Sequence, residues 1–411
     1  MTTPDVWPKV RLGDIGQSLI GLTYSPDNVR RSGTLVLRSS NIQGGRLVLN
    51  DNVYVDSPIP ARIRVRPNDI LICVRNGSRQ LIGKSVMLDD RVVGQTFGAF
   101  MAVYRSSANP LLRYFFQSDD FKRQIDEHLG ATINQITNGS LNNFEVSLPP
   151  EREQSAIVER LQDADGLIST LDRVIAKKNA IKTGMMQQLL TGRTRLPGFV
   201  DEWRLVRLGD HVTYIKTVAL SRAQLDDTSA LRYLHYGDIH TRTSVRLCAA
   251  EEPMPRAARR LAGSAGLLHV GDLIFADASE DVAGVGKSVE ISSVPSEGVV
   301  PGLHTIAARF DKAVLADGFK AYIQFIPSFR DSLLRLAAGT KVLATTRAYI
   351  SGVTLYLPSV EEQRAIADVL LAADSEIDAL RNKLMKAEAI KTGMMQQLLT
   401  GRTRLPLEAS A

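Results

Sequence analysis

The sequence predicts an α+β chain. Two β-rich mixed domains are separated by two long antiparallel helices, a coiled coil, and the whole is an internal pseudo-two-fold repeat. Three observations predict it. Ala180–Pro197 and Ala389–Pro406 both read AIKTGMMQQLLTGRTRLP, at a constant offset of 209 residues. Each of these tails continues a proline-free stretch whose apolar residues keep heptad spacing. The regions before them carry short β-branched runs punctuated by Asn-Gly, Gly-Gly and Pro-Asn-Asp turn signals.

Length and composition bound the reading. At 411 residues the chain is too long for one compact core. With 44% hydrophobic and 23% charged residues it has the balance of a folded domain protein. No apolar run approaches the roughly 20 residues of a spanning helix. The opening MTTPDVWPKV lacks the apolar core of a signal peptide, so a cytoplasmic location is expected. Cys73 and Cys248 are the only cysteines, which excludes a disulfide framework and a Cys-x-x-Cys zinc site. Fifty Lys+Arg against 44 Asp+Glu permits a polyanionic partner without requiring one.

The repeat extends well beyond the tails. LPPEREQSAI from Leu148 faces LPSVEEQRAI from Leu357, and WPKVRLGD from Trp7 faces WRLVRLGD from Trp203. Between these markers LVLRSSNIQ aligns with RYLHYGDIH, RPNDILICV with HVGDLIFAD, and IGKSVML with VGKSVEI. Four segments are therefore expected: domains over 1–147 and 198–356, and conserved helical segments over 148–197 and 357–411. Each domain should hold a curved sheet and a few helices, with helical patterns over Leu111–Leu129 and Phe319–Ala337.

The helices follow from periodicity. The first seam is Ile157, Leu161, Ala164, Ile168, Leu171 and Ile175, continuing after a one-residue phase shift to Met185 and Leu189. Its copy is Ile366, Leu370, Ala373, Ile377, Leu380 and Leu384, then Met394 and Leu398. Such a stripe needs a cover, and the simplest is the other copy. The first helix delivers the chain into the second domain, so the second helix must run back antiparallel.

Matching tails offer one docking surface twice, and diverged domains offer two surfaces for two ligands of one class. Charge and turn chemistry point to a polyanion. Between Ser25 and Lys84 ten Lys+Arg face four aspartates, and arginine dominates, the residue suited to phosphates and guanine edges. Candidate contacts in the first domain are Arg38, Ser39, Asn41, Arg75, Asn76, Ser78, Arg79, Lys84, Gln95 and Thr96. In the second they are His235, Tyr236, Asp238, His240, Asp277, Ser279, Glu280, Lys287 and His304. A different set on the same frame implies a different preferred sequence.

These motifs resemble the specificity subunits of type I restriction–modification enzymes, over essentially the whole chain. The paired LPPEREQSAI and LPSVEEQRAI helix starts, the IKTGMMQQLLTG tails and the two Trp-x-x-Val-Arg-Leu-Gly-Asp openings carry the resemblance. It implies that each variable region is a target recognition domain reading one half of a split, asymmetric duplex site. It implies too that the long helices space the domains and dock two methyltransferase subunits, with restriction (motor-nuclease) subunits joining them. S-adenosylmethionine would then belong to the methyltransferase, and ATP and magnesium to the restriction subunit. Type IIB systems share such a subunit. Ser359-Val360, standing where the first copy has Pro150-Glu151, departs from the pattern at the second helix start.

Enzyme readings find little support. GVGKS at Gly284–Ser288 lacks the first glycine of a phosphate-cradling loop, whose place Asp281 holds, and a strand-like run follows it. A hairpin carrying a DNA-facing lysine is expected instead. The six histidines give no metal-ligand pattern and no Gly-x-Ser-x-Gly elbow occurs, so no catalytic or metal site is expected. The rival reading is a bivalent coiled-coil scaffold whose end domains bind proteins.

Overall fold

In the computed structural model, residues 7–129, 134–279, 281–337 and 343–406 are described. Contacts divide the chain into two compact units, residues 1–172 with 383–411, and residues 173–382. The two helices expected as separate segments span Glu151–Leu189 and Val360–Leu398, 39 residues each, and each contributes one part to each unit.

The first unit is built on an antiparallel sheet in the order Gln17–Ile20, Met101–Arg105, Ile70–Cys73, Ser85–Met87. The run Ile70-Leu71-Ile72-Cys73 does not alternate in polarity because both of its faces are covered. Ile70 and Ile72 face Phe115, Phe116 and Phe121, while Leu71 and Cys73 join Val36, Leu37 and Phe97 on the opposite side. A second sheet orders Thr96–Phe97, Thr34–Leu37, Val53–Val55 and Val29–Arg30, its first pair parallel. Lys9–Arg11 pairs with Glu145–Ser147, bringing the opening motif beside the first long helix.

The second unit repeats that order: Val212–Ile215, Thr305–Phe310, Leu273–Ala276, Ser288–Ser293. It adds one edge strand, Arg246–Cys248, parallel to Ser288–Ser293 with a bulge at Leu247/Cys248. Its central strand is again covered twice, Leu273 and Phe275 on one face, Ile274 and Ala276 on the other. Arg204–Arg207 pairs with Thr354–Leu357.

The expected domain helices are shorter. Leu111–Leu129 breaks into Asn109–Phe115 and Asp119–His128, because Ser118 Oγ accepts the Phe121 amide at 3.3 Å and starts a new helix. Over Phe319–Ala337 a 3-10 segment, Lys320–Phe325, ends before Pro327, which opens the helix Pro327–Ala337. No helix among the described residues is long and apolar enough to cross a membrane.

Candidate nucleic-acid interface

Each unit is held by the same set of contacts. Asp69, 1% exposed, accepts both arms of Arg105 (2.8 and 2.7 Å) and the Arg66 amide. Asp272, also 1% exposed, accepts Arg309 at the same two distances and the His269 amide. In the first unit Tyr114 Oη donates to Asp165 at 2.9 Å, and Lys391 meets the same carboxylate at 2.7 Å. In the second, Tyr322 donates to Asp374 at 2.6 Å and Lys182 pairs with it. Burial pushes the Tyr114 hydroxyl up to about 12, and that of Tyr322 further.

The conserved helix-start motif also acquires a job. Glu153 accepts Arg404 and Glu362 accepts Arg195, and each guanidinium lies over the opening tryptophan, Trp7 at 5.3 Å and Trp203 at 5.8 Å. Gly401 and Gly192 have φ of +69° and +67°, and a Cβ there would sit 3.3 and 3.2 Å from those indoles. These contacts account for the glycine and the last arginine of Thr-Gly-Arg-Thr-Arg in both tails. Gln154 donates to Pro149 O at 2.9 Å and Gln363 to Pro358 O at 3.0 Å, securing the first turn of each helix.

Within each unit the two helix segments run in opposite senses. Glu153 meets Arg404 and Asp165 meets Lys391 in the first; Lys178 meets Glu376 and Lys182 meets Asp374 in the second. Of the seam residues, Ile157, Leu161, Ile168, Leu189, Ile366, Leu370, Ile377 and Leu398 are buried. Leu171, Ile175, Met185, Leu380, Leu384 and Met394 are half-buried. The cover is not the partner helix alone: Leu111 and Tyr114 pack on Ile157 and Leu161, and Phe319 and Ile323 share a core with Ile366 and Leu370. Heptad spacing could not reveal that, since it specifies an apolar face and not its occupant.

The candidate contacts divide. In the first unit Asn76 Nδ2 donates to Ser39 Oγ at 3.4 Å, Asn76 Oδ1 accepts the Ser78 amide at 3.0 Å, and Arg75 lies 5.1 Å over the Phe100 ring. Ser39, Arg75, Asn76 and Ser78 thus form one group, with Arg75 and Ser78 exposed. Arg38 and Arg79 are exposed or half-buried and paired, with Asp51 at 2.8 Å and Asp126 at 3.4 Å. Lys84 is half-buried in the turn before Ser85–Met87. Three residues leave the candidate surface. Asn41 is buried and holds the Arg38 amide and Val48 carbonyl. Thr96 is buried and donates to Ile63 O at 3.0 Å, and Gln95 accepts the Leu35 amide at 2.7 Å. Their polar types matched base readers, but each satisfies a backbone group inside the fold.

In the second unit the candidates converge. His235 caps the short helix Tyr236–His240 by accepting the Gly237 amide at Nδ1, 3.1 Å, and Asp238 accepts the His235 amide at 3.0 Å. Burial holds the His235 imidazole below its ordinary value, with Asp238 opposing. Tyr236 packs against His235, His240 and His304 at 4.5, 6.0 and 5.4 Å between centroids. His304 Nδ1 lies 3.2 Å from Asp277 Oδ1, and His304 itself has φ +55°. Two expectations are corrected. Ser279 is buried, its hydroxyl on Asp281 O, and Lys287 turns inward onto His240 O, so its hairpin does not present a free lysine. A strand does follow that lysine, Ser288–Ser293. Glu280 lies outside the described residues.

Phe100 escaped the sequence reading. Aligning Gly98–Arg105 with Gly302–Arg309 places it at the position of His304. The Phe100 carbonyl accepts the Val74 amide at 3.1 Å, and the His304 carbonyl accepts that of Asp277 at 3.1 Å.

Each unit thus carries a sheet with a partly exposed polar and aromatic cluster, and comparison with known proteins sharpens this. The sequence model described as "Type I restriction modification DNA specificity domain" matches residues 4–183. A putative type I restriction enzyme MjaX specificity subunit of Methanocaldococcus jannaschii is 24% identical over 98% of this chain and 95% of its own length. The StySPI specificity subunit of Salmonella potsdam is 23% identical over 97% of this chain and 89% of its own. The fold matches a type I restriction–modification system S subunit from M. genitalium with a TM-score of 0.59, at 13% identity, over 97% and 98% of the two chains. Over nearly its whole length the chain is thus similar to type I restriction enzyme specificity subunits.

Proposed function

We propose that this chain reads a bipartite, asymmetric duplex DNA target, one domain over 1–147 and one over 198–356 each taking a half-site. The observation that carries the reading is a shared frame with unlike surfaces: Asp69–Arg105 and Asp272–Arg309 recur, while the first unit presents Arg75, Asn76 and Ser78 and the second, from other positions, His235, Tyr236 and His304. Arginine and amide groups supply phosphate and base-edge contacts; histidine and tyrosine supply others.

The two long helices pair antiparallel as a spacer about a pseudo-two-fold axis and fix the gap between half-sites. Opposed ion pairs within each unit and lengths of 39 residues, about 58 Å of helix, support this. Two methyltransferase subunits dock on the duplicated helix surfaces, and restriction subunits join them. The chain itself is non-catalytic: S-adenosylmethionine chemistry belongs to the methyltransferase, and ATP- and magnesium-dependent steps to the restriction subunit.

Filter binding of the full chain to duplex DNA at 50 and 200 mM salt tests the reading. A fall in affinity of about a hundredfold or more is expected, since each neutralised phosphate releases counterion. A flat response would favour a protein-binding scaffold and contradict DNA recognition.

A further inference from the structure

An exposed aromatic ring on a rigid support is unusual in a group otherwise built from arginine, asparagine and serine. Phe100 is 58% exposed. Its backbone is pinned, because its carbonyl accepts both the Val74 and Arg75 amides at 3.1 Å. Residue 75 is itself held, in a bridge with Gln135. The Arg75 guanidinium lies over the ring, 5.1 Å from its centroid, so a positive charge able to swing onto a neighbouring phosphate stands beside the aromatic group. Leaving so large an apolar group in water costs free energy that a base stack would recover.

From this juxtaposition we infer that Phe100 is a stacking wedge that inserts between neighbouring bases of the half-site read by the first unit, partly unstacking them and bending the duplex. This rests on the DNA-recognition reading above and adds to it a mode of contact. Apolar wedges open base steps at a cost that is recovered through the bent DNA's added contacts. Flexible pyrimidine–purine steps open most readily, so the wedge would select such a step within the half-site without hydrogen bonding to it. The second unit differs at this position. His304 is tethered to Asp277 at 3.2 Å and lies edge-on to Tyr236, so it is not free to insert. Unstacking is therefore confined to one half of the target.

The test uses the full chain with a duplex carrying its mapped methylation site. The fluorescent adenine analogue 2-aminopurine is substituted at successive positions across both half-sites. Wild type should brighten the probe at one step of one half-site and leave the other half dark. Phe100→Ala should abolish that signal and weaken binding by about fivefold or more, the usual loss for one base–aromatic stack. Phe100→Trp should restore both, which a merely structural defect would not permit. Tight wild-type binding with no brightening in either half, or a signal undiminished in Phe100→Ala, overturns the wedge and leaves DNA recognition intact. Failure of wild type to bind the duplex at all overturns the recognition reading, and the wedge with it.

Discussion

The two units differ least where they are buried and most where they are exposed. Asp69–Arg105 and Asp272–Arg309 match to a tenth of an ångström, as do the carbonyl contacts behind Phe100 and His304. On that common support one unit presents arginine, asparagine and a phenyl ring, the other a histidine–tyrosine cluster. A duplicated frame stays fixed because a buried ion pair tolerates no change on one side alone. An exposed loop has no such constraint and is free to acquire a new preference.

If the buried pair is the common support, removing its carboxylate should damage both units, though unequally. Asp69→Ala strands an arginine that is only 14% exposed and is expected to cost about 3 kcal/mol. Asp272→Ala leaves Arg309, 37% exposed, within reach of water and should cost less, about 2 kcal/mol. Denaturant unfolding of the two variants checks the order. Equal losses would break the comparison at its best-matched point.

A smaller effect should separate the units by pH. His235 caps its helix as a neutral ring, and burial holds its pKa below the unfolded value. A depressed value means that the unfolded chain binds the proton first. The cap's contribution is therefore fully present above about pH 6.5 and is lost as pH falls below it. The ring is only part-buried, so the loss is a few tenths of a kcal/mol. His235→Asn keeps a capping side chain and should flatten the difference in unfolding stability between pH 7.5 and 5.5. An unchanged slope would remove the cap from the account.

Much of this architecture was legible in the sequence for physical reasons. A heptad stripe from Ile157 to Ile175, without proline, has few alternatives to a long helix, and the identical tails required two of them. Apolar runs such as Ile70–Cys73 signalled buried strands. What covers a helix face was not legible, because Tyr114 and Phe319 reach the seam from distant parts of the chain. Nor could polar type separate a reader from a brace. Asn41 and Ser39 stand two residues apart; one is buried as a turn cap and the other lies beside Asn76. The copies held a signal left unused: Asp69 with Arg105 recurs as Asp272 with Arg309, and Phe100 as His304. Residues kept in register mark the support, and residues exchanged in register mark the surface.

The most direct measurement makes the two heads alike. A chain carrying the 203–356 segment in place of 7–147 as well as in its own position is expressed with the methyltransferase proposed to dock on it, and methylated bases are mapped genome-wide. The account predicts an inverted repeat of the second half-site, separated by the original gap. Methylation at a target whose halves still differ would contradict it.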